Sequence, residues 1–517
     1  MKGGRNPGAG MQWRGFQNVA ARHRLKSYAA SFPGFAWMPL RVSRHNLLIW
    51  IVTAAFFMQN LDGTVITTAL PQMAVAFDTT PIHLSIGITA YILSLAVFIP
   101  VSGWFANRFG ARIIFGSAIA VFTLGSVLCG LCNGVTEFAL CRVFQGLGGA
   151  MMVPVGRLVL FRAVGKGGLV QALSTLSMTA MIGPVLGPPI GGFITTYASW
   201  RWIFFFNLPI GLIGAVLVFF FIENYREEQS PAFDWIGFIF TGISIATLVL
   251  DCDLVVQPDV PGSVTAGLFV LSLATGGFAA WYMLRRADPI LDLGLLRIQS
   301  FFTGVAVGAL FRIGAGGVGY LMAIMLQVGM GMSAFASGSI TLAGAVSSLT
   351  MKAAIPPVLR RWGFRTVLIG NGVISAGAVA ACACITESMP GVIVFLILLI
   401  GGFFRSLQFT SLTTLAYADI SNEKTSAATS FSSMMQQINN GLGVALAAVL
   451  LHVTQIFHAE GGQLVSIVDI RVVFIVMSLV ALSGCIFYVR LPPDAGAEVS
   501  GHRLLGRPET ADAEAAD

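Results

Sequence analysis

Long apolar stretches recur along this chain of 517 residues, from Leu47 almost to the C-terminus. A helix needs about 20 consecutive apolar residues to cross the hydrocarbon core of a bilayer, and fourteen stretches reach that length. Charged residues make up only 10% of the chain, whereas soluble domains contain roughly 25%. The sequence therefore predicts an all-α membrane protein with fourteen transmembrane helices.

The fourteen predicted spans follow one another with mostly short connections, which is typical of a multi-pass protein. They are Leu47–Leu70, Leu84–Trp104, Ile113–Cys132, Phe138–Phe161, Leu169–Tyr197, Trp202–Ile222, Phe233–Leu250, Val264–Leu284, Phe302–Val328, Phe335–Ile355, Val367–Ile385, Val392–Leu415, Ala427–Val453 and Val472–Val489.

The distribution of Lys and Arg predicts the orientation, because cytoplasmic loops collect basic residues. Residues 1–45 carry eight basic residues and no acid, which predicts a cytoplasmic N-terminus. Alternation from there puts most basic residues on the same side, and only Arg201 and Arg471 fall in outer loops. Both termini are therefore expected in the cytoplasm. The net charge of +7 then reflects topology rather than a nucleic-acid site.

The two ends of the chain differ in composition from the spans. Residues 1–45 contain no apolar segment of signal-peptide type, so the first span is expected to serve as both signal and anchor. Residues 491–517 are rich in Ala and acids and are expected to form a disordered cytoplasmic tail.

Ionisable groups inside the spans are few. Each costs about 2.5–3.5 kcal/mol on insertion scales, and such groups usually mark substrate or ion pathways. Asp62 is the acid that sits well inside a predicted span, and the intramembrane bases are identified as Arg142, Arg312 and Arg405. At a rise of about 1.5 Å per residue, Asp62 and Arg142 lie at similar depths. We expect them to pair in the outer half if the first and fourth helices are neighbours.

Two interpretations of this pair are open. It could be a fixed structural ion pair, or its carboxyl group could bind and release a proton. Gly63 and Thr64 beside Asp62 suit a wet cavity, and competition between burial and a neighbouring guanidinium can leave a carboxyl group titratable. In the second interpretation, Asp62 is protonated and released from Arg142 when it faces outside, and it is paired when it faces inside.

The second half of the chain carries unbalanced positive charge. Arg312 and Arg405 lie near the middle of their predicted spans, and no acid accompanies them. Gln408 follows on the helix of Arg405, and Gln436 and Asn440 lie in the next span. Hydrogen bonding between helices is one explanation for these polar residues. A carboxylate-bearing or anionic ligand is the other, because guanidinium groups favour bidentate anions.

Two other patterns carry little functional weight. Residues 314–319, "GAGGVG", formally match a nucleotide-binding glycine pattern, but no strand precedes them, so a weakened or broken membrane helix is favoured. Cys129 and Cys132 have no second pair to complete a metal site. No set of nucleophile, base and orienting group can be assembled. We therefore expect no enzyme, no metal and no cofactor apart from a proton as coupling ion.

Five motifs in order along the first half resemble the major facilitator superfamily, and within it the fourteen-span drug:proton antiporter family typified by EmrB and QacA. The MdtD-like subgroup is the nearest resemblance, and the second half matches mainly in its pattern of spans. The motifs are "LDGTVITTALP" at 61–71, "GWFANRFGAR" at 103–112, "RVFQGLGGA" at 142–150, "GPVLGPPIGG" at 183–192 and "SWRWIFFFNLPIG" at 199–211.

The resemblance implies two six-helix bundles that rock about a substrate site between them. The corresponding boundaries are an extension (1–45), a first bundle (46–222), a linker with two extra helices (223–300), a second bundle (301–490) and the tail (491–517). It implies that Asp62 and Arg142 couple proton movement to transport.

The resemblance also assigns conformational roles to the motif residues. These are Gly103, Asn107, Arg108, Gly110, Arg112, Gln145, Gly146, Gly183, Gly187, Pro188, Gly191 and Gly192. One residue departs from the family pattern, since Asn107 stands where an Asp is usual. The charge interaction of that loop with a helix end is expected to weaken to a hydrogen bond.

Together these features predict a proton-coupled efflux transporter in a bacterial inner membrane that exports drugs or small amphipathic or anionic metabolites. Lipophilic cations are the default substrates of the family, whereas Arg312 and Arg405 favour anions, with Gln408, Gln436 and Asn440 as further candidate ligands. A non-transporting sensor or partner subunit with the same fold is the alternative. The expected partners are a small-molecule substrate, protons and lipid, without nucleic acid, and the need for a periplasmic adaptor is left open.

Overall fold

The computed structural model describes residues 44–79, 84, 86–164, 168–224, 226, 232–255, 260–332, 334–458 and 466–502, apart from the side chains of some positions within helices. All regular secondary structure in these residues is helical. Residues 1–43 and 503–517 lie outside the described part, and so do the predictions made for them.

Fourteen long helices follow the predicted order. They are α1 Arg44–Ala76, α2 Ile86–Phe109, α3 Ala111–Leu131, α4 Val135–Val164, α5 Leu169–Tyr197, α6 Trp202–Phe221, α7 Trp235–Leu254, α8 Gly262–Met283, α9 Gln299–Gly329, α10 (334–362), α11 (364–381), α12 Gly391–Ala416, α13 Thr425–His458 and α14 Ile467–Tyr488.

The helix count is consistent with the predicted number of spans. Twelve stretches of described residues are long and apolar enough to cross a membrane, and one of them contains both α10 and α11. Helix α5 is not among the twelve, although it runs for 29 residues. The chain is thus a multi-pass membrane protein built from helices.

Successive loops lie at opposite ends of the molecule, and loops at the same end contact one another. At one end, the aromatic rings of Phe161 and Tyr417 lie 4.6 Å apart, and His502 Nδ1 lies 3.1 Å from the carbonyl oxygen of Arg360. At the other end, Arg201 donates to Asn133 over 2.8 Å, and Arg471 donates to a backbone carbonyl before α12. This alternation is what consecutive crossings of one membrane require.

In each half, one glycine with a positive φ separates two consecutive helices. Gly110, between α2 and α3, has a φ of 97°, and Gly363, between α10 and α11, has a φ of 69°. Both values lie in a region that side chains disfavour. A Cβ atom at Gly110 would also collide with the side chain of Asn224, and one at Gly363 would lie 2.8 Å from the imidazole of His502. Glycine is therefore required at both turns.

Helix α9 is interrupted, as its glycine-rich segment predicts. A π-helical turn spans Thr303–Val307, the chain leaves the α-helix at Gly317, and a second π-helical turn spans Met325–Gly329. A Cβ atom at Gly317 would lie 2.7 Å from both Ala447 and Met477. The break thus brings α9 close to α13 and α14, and π-helical turns often mark functional sites.

The pair α7 and α8 forms a hairpin on the outside of the bundles. Ser244 and Ser272 exchange hydrogen bonds of 2.9 Å with each other's backbone, and α7 packs on both α2 and α13. At the start of α7, the Asp234 side chain caps the helix by accepting from Gly237 N and also accepts from Ile290 N. The hairpin therefore contacts both halves without entering the space between them.

The predicted disordered tail differs from the structure over its first residues. Residues 497–500 form a short helix, α15 Ala497–Ser500, and Leu491 and Val499 are buried. Burial of these apolar side chains stabilises the segment despite its acid- and Ala-rich composition. Residues 503–517 lie outside the described chain.

Helices α3 and α4 cross so closely that their backbones are in contact. A Cβ atom at Gly148 would lie 2.7 Å from the carbonyl oxygen of Ala118 and would also collide with the backbone nitrogen of Phe122. Backbone atoms cannot move aside as a flexible side chain can. This contact sets the position of Arg142, which lies on the same helix.

We predict that Gly148→Val lowers the free energy of unfolding by ~1–3 kcal/mol, the range for overpacking. Gly370→Val is the matched control, because a Cβ atom there meets nothing within 4 Å. Thermal unfolding in detergent measures both. Equal destabilisation of the two variants would show that the crossing tolerates a side chain.

Candidate functional site

A buried ion pair lies inside the N-terminal half. Arg142 Nη1 donates to Asp62 Oδ2 over 2.6 Å, and the two side chains are 0% and 2% exposed. Gln145 Nε2 and Asn207 Nδ2 both donate to Asp62 Oδ1, over 2.9 and 3.0 Å. The carboxylate of Asp62 thus accepts three hydrogen bonds, which compensates for much of its desolvation.

The Arg142 guanidinium is held by groups from several helices. Its Nη1 also donates to Gln145 Oε1 over 2.6 Å, and its Nε donates to the carbonyl oxygen of Gly87 over 3.3 Å. The Tyr91 ring covers it, with 4.3 Å between Arg142 Cζ and the ring centroid. Asn207 is itself fixed by donating to Ser126 over 3.0 Å. Five helices, α1 to α4 and α6, therefore contribute to one network.

Glycines allow these helices to approach. A Cβ atom at Gly146 would lie 2.6 Å from Ser94, and one at Gly183 would lie 2.8 Å from the backbone nitrogen of Leu61. A Cβ atom at Gly187 would collide with the side chain of Thr64. The glycines of the fourth- and fifth-helix motifs thus bring α4 against α2 and α5 against α1, beside Asp62.

The predicted pairing of Asp62 and Arg142 is confirmed as a contact, and α1 and α4 are neighbours there. Gln145, predicted as a conformational residue, belongs to the network directly. Asn207 was not predicted; its polar side chain inside "FFFNLPIG" (204–211) was the available signal. The roles of these residues in transport stay predictions.

A central cavity of about 660 Å³ lies between the two halves. This volume is typical of small-molecule sites. Helices α1, α2, α4 and α5 of the first half and α10, α12 and α13 of the second contribute side chains to its wall. The Tyr91 ring lies in this wall and also covers Arg142, so one side chain separates the ion pair from the cavity.

The cavity wall is positively charged. Arg157, Lys352 and Arg405 line it, and none of its described lining residues is an acid. Arg157 donates to Gln436 over 2.9 Å and to Ser433 over 3.3 Å. Lys352 donates to Thr410. Arg405 has no hydrogen-bond or ion-pair partner in the described part of the chain.

Of the predicted substrate ligands, the structure brings Arg405, Gln436 and Asn440 to the central cavity. Two further basic residues, Arg157 and Lys352, also face the cavity, although the sequence did not identify them as intramembrane bases. Each lies near the inner end of its predicted span, where a basic residue is ordinarily assigned to the interface. Position in sequence therefore gave no reason to place them in the cavity wall.

Arg312 and Gln408 are not in the cavity wall. Arg312 Nη1 donates over 2.8 Å to the carbonyl oxygen of Gly304, in the first π-helical turn of α9, and its guanidinium lies 5.3 Å from the Phe409 ring centroid. Gln408 accepts from Asn371 over 2.8 Å and donates to the carbonyl oxygen of Leu368 over 3.1 Å. Internal partners hold both side chains away from the cavity wall, although Arg312 Nε is buried without a partner among the described residues.

Polar contacts join the two halves near the Gly110 turn. Ser426 Oγ donates to the carbonyl oxygen of Gly103 over 3.0 Å, and the hydroxyls of Ser102 and Ser430 lie 2.9 Å apart. A Cβ atom at Gly103 would lie 2.7 Å from Ser430 Oγ. Gly103 therefore allows α2 and α13 to touch, in keeping with a conformational role.

The other residues of the loop motif are placed differently. The hydrogen bond expected of Asn107 is absent, since its Oδ1 is buried without a partner among the described residues. The reason is that Ser102 and Gly103, about one turn earlier, make the contact with α13. Arg108 is exposed, and Arg112 lies against the Phe219 ring at 5.9 Å.

The remaining residues of the fifth-helix motif are Gly191, Gly192 and Pro188. The carbonyl oxygen of Gly191 accepts from Thr195 Oγ1 over 2.8 Å within α5. A Cβ atom at Gly192 would meet nothing within 4 Å. The side chain of Pro188 lies outside the described residues.

Two helical bundles with a cavity between them form the architecture of a membrane transporter. Residues 52–444 match the family model described as Major Facilitator Superfamily. The chain belongs to this superfamily, and the transporters that define it are not enzymes.

Relatives extend the similarity over most of the chain. It is 36% identical over 449 residues to the "Putative multidrug resistance protein MdtD" of Pectobacterium atrosepticum, covering 86% of this chain and 96% of the relative. It is also 36% identical to the protein of the same name from Serratia proteamaculans, covering 78% and 84% of the two chains. The chain is therefore MdtD-like.

Two solved structures share the fold. The crystal structure of the human organic anion transporter MFSD10 (TETRAN) gives a TM-score of 0.61 at 13% identity, covering 86% of this chain and 99% of that one. The proton:xylose symporter XylE gives 0.61 at 13% identity, covering 89% and 98%. At this identity the likeness concerns the fold alone.

We predict that Asp62→Asn lowers the free energy of unfolding by about 3–5 kcal/mol, because it leaves the buried Arg142 without a counter-charge. The double variant Asp62→Asn/Arg142→Gln removes both charges and should regain most of this loss. Thermal unfolding in detergent measures the difference. If the double variant is as unstable as the single one, the two charges do not form an energetic unit.

Proposed function

We propose that this protein is a proton-coupled antiporter that exports small amphipathic or anionic molecules from the cytoplasm by alternating access. The observation that carries the proposal is the buried Asp62–Arg142 pair, one side chain away from a central cavity between the halves. An acid so deep in a transmembrane bundle is costly. Binding and release of a proton would explain why an acid is kept at this depth.

Protonation of Asp62 would change the balance of the network. A proton on the carboxyl group removes its negative charge, so Arg142 loses its counter-ion and the donors Gln145 and Asn207 lose a charged acceptor. Because five helices meet in this network, its rearrangement would alter their packing together. Such a change is a physical means of biasing a two-state equilibrium.

The conformation fits one stage of an exchange cycle. The halves are joined at the end where Gly103 contacts Ser426, which the distribution of Lys and Arg predicts to be cytoplasmic. Asp62 is paired with Arg142 while the cytoplasmic ends of the halves are in contact, whereas the sequence predicted this pairing for the inward-facing state. This corresponds to a carrier that has released its substrate outside and awaits a proton. One proton that crosses a potential of 100 mV contributes about 2.3 kcal/mol toward export.

The charge of the cavity supports anionic substrates. Lys352 and Arg405 face it from the second half and Arg157 faces it from the first, with no acid among the described residues of the wall. An anionic group would neutralise part of this charge in a low-dielectric site, where such interactions are strong. The names of the MdtD relatives support export of diverse small molecules, and a cavity of about 660 Å³ has room for them.

We predict that Asp62→Asn abolishes proton-driven accumulation of substrate in inverted membrane vesicles, while exchange of labelled for unlabelled substrate continues. The reason is that exchange needs rocking of the halves but no net proton movement. The stability-restored variant Asp62→Asn/Arg142→Gln should behave in the same way. Asp419→Asn, at an exposed loop acid, is the matched control and should transport normally.

Accumulation at the rate of the unchanged protein by Asp62→Asn would contradict the proton-coupling role. Binding without flux in the unchanged protein would instead support a sensor, the alternative that the fold also allows.

We predict that Lys352→Gln weakens binding of a citrate-like anion about tenfold or more, because it removes a charged donor worth ~1.5–3 kcal/mol. Binding of an ethidium-like cation should not weaken. Calorimetry in lipid nanodiscs measures both. Lys424→Gln, which changes an exposed lysine, is the control. Equal effects of the Lys352 change on both ligands would contradict the anion preference.

A further inference from the structure

We infer that the substrate site has two compartments that meet at Arg405, and that the preferred substrate is an anion carrying a compact apolar group. The inference rests on the proposed function for the statement that the ligand is transported. A second pocket, inside the C-terminal half, takes the apolar part of the ligand.

The second pocket has a volume of about 80 Å³ and lies among α9, α10, α11 and α12. A single water needs roughly 10–15 Å³ by this kind of measure, so the space is several times larger than one water molecule and suits a compact group. Its wall is mainly apolar, with Val318, Met322, Val379, Ile397 and Leu398. Apolar walls of this kind favour an apolar occupant over water.

Arg405 belongs to the wall of both compartments. Its guanidinium has no hydrogen-bond or ion-pair partner among the described residues. It fits in a narrow space beside Gly344, where a Cβ atom would lie 3.2 Å from Arg405 Nη2. A ligand anion would supply the missing counter-charge at the junction, with bidentate geometry available.

A second unsatisfied group supports a ligand in this pocket. Ser375 is 1% exposed, and its hydroxyl has no partner in the described chain. It lines the same pocket. A buried hydroxyl without a partner is costly, so a polar substituent on the apolar group would be favoured there.

The broken helix α9 creates room for the apolar group. Gly319 follows the interruption at Gly317 and lines the pocket, and a Cβ atom at Gly319 would meet nothing within 4 Å. Gly319 is also exposed, so a larger residue has room at this edge of the pocket. Gly314 and Gly317 are needed for helix packing, but packing does not explain the glycine at 319. Room for a ligand would explain it.

Binding of two permanently charged anions to the full-length protein in lipid nanodiscs tests the inference. Benzenesulfonate and methanesulfonate share one head group and differ only in the apolar part. We expect benzenesulfonate to bind about tenfold more tightly, which corresponds to about 1.4 kcal/mol. Isothermal calorimetry measures this without any requirement for proton coupling.

Two variants locate the effect. Gly319→Leu should fill the pocket and remove the tenfold preference while methanesulfonate binding stays unchanged. Gly377→Leu is the matched control, because Gly377 is exposed, meets nothing within 4 Å and does not line the pocket. It should keep the preference. Arg405→Gln should weaken binding of both anions.

Three results would overturn the inference. They are equal affinity of the two anions for the unchanged protein, a preference that survives Gly319→Leu, and a preference that appears only when the nanodisc lipids are replaced by short-chain lipids, which would assign the pocket to a lipid chain. None of these results bears on Asp62, so proton-driven export can still be measured separately with its own variants.

Discussion

The contact between Asp62 and Arg142 is the constraint around which the N-terminal half is arranged. Two charges removed from water are stabilised only when their remaining donors and acceptors find partners. Gln145, Asn207 and the carbonyl oxygen of Gly87 supply most of these partners from three helices, and Arg142 Nη2 has none among the described residues. The network therefore requires close packing at several glycines, and any change in the charge of the pair would act on all the helices that meet there.

Charge is divided unevenly between that network and the central cavity. The network holds a paired acid and base, whereas Lys352, Arg405 and Arg157 give the cavity wall a positive charge without an acid among its described residues. Tyr91 lies between the two regions. The buried ion pair and the positively charged cavity are thus separated by one aromatic ring. The interrupted α9 adds an apolar compartment on the far side of Arg405.

Part of this site could be predicted from residue types and depth alone. Asp62 and Arg142 are rare charges at matching depths, and their contact follows once two helices are neighbours. The break in α9 follows from its glycines. Gln408 was expected in the cavity but bonds to Asn371 instead, and Asn207 was not expected beside Asp62. Depth along a helix does not reveal which neighbour a side chain faces.

The amino-acid sequence by itself determined the helical class, the pattern of crossings and the identity of several charges that lie within the membrane, because hydrocarbon excludes unpaired backbone groups and penalises charge strongly. Only the tertiary structure decided which side chains meet. Lipid is as apolar as a helix interface, so little hydrophobic patterning marks the buried face of a membrane helix. Close contacts, such as that of Gly148 with α3, set the rotation of each helix and therefore the partners of Arg142, Lys352 and Arg405.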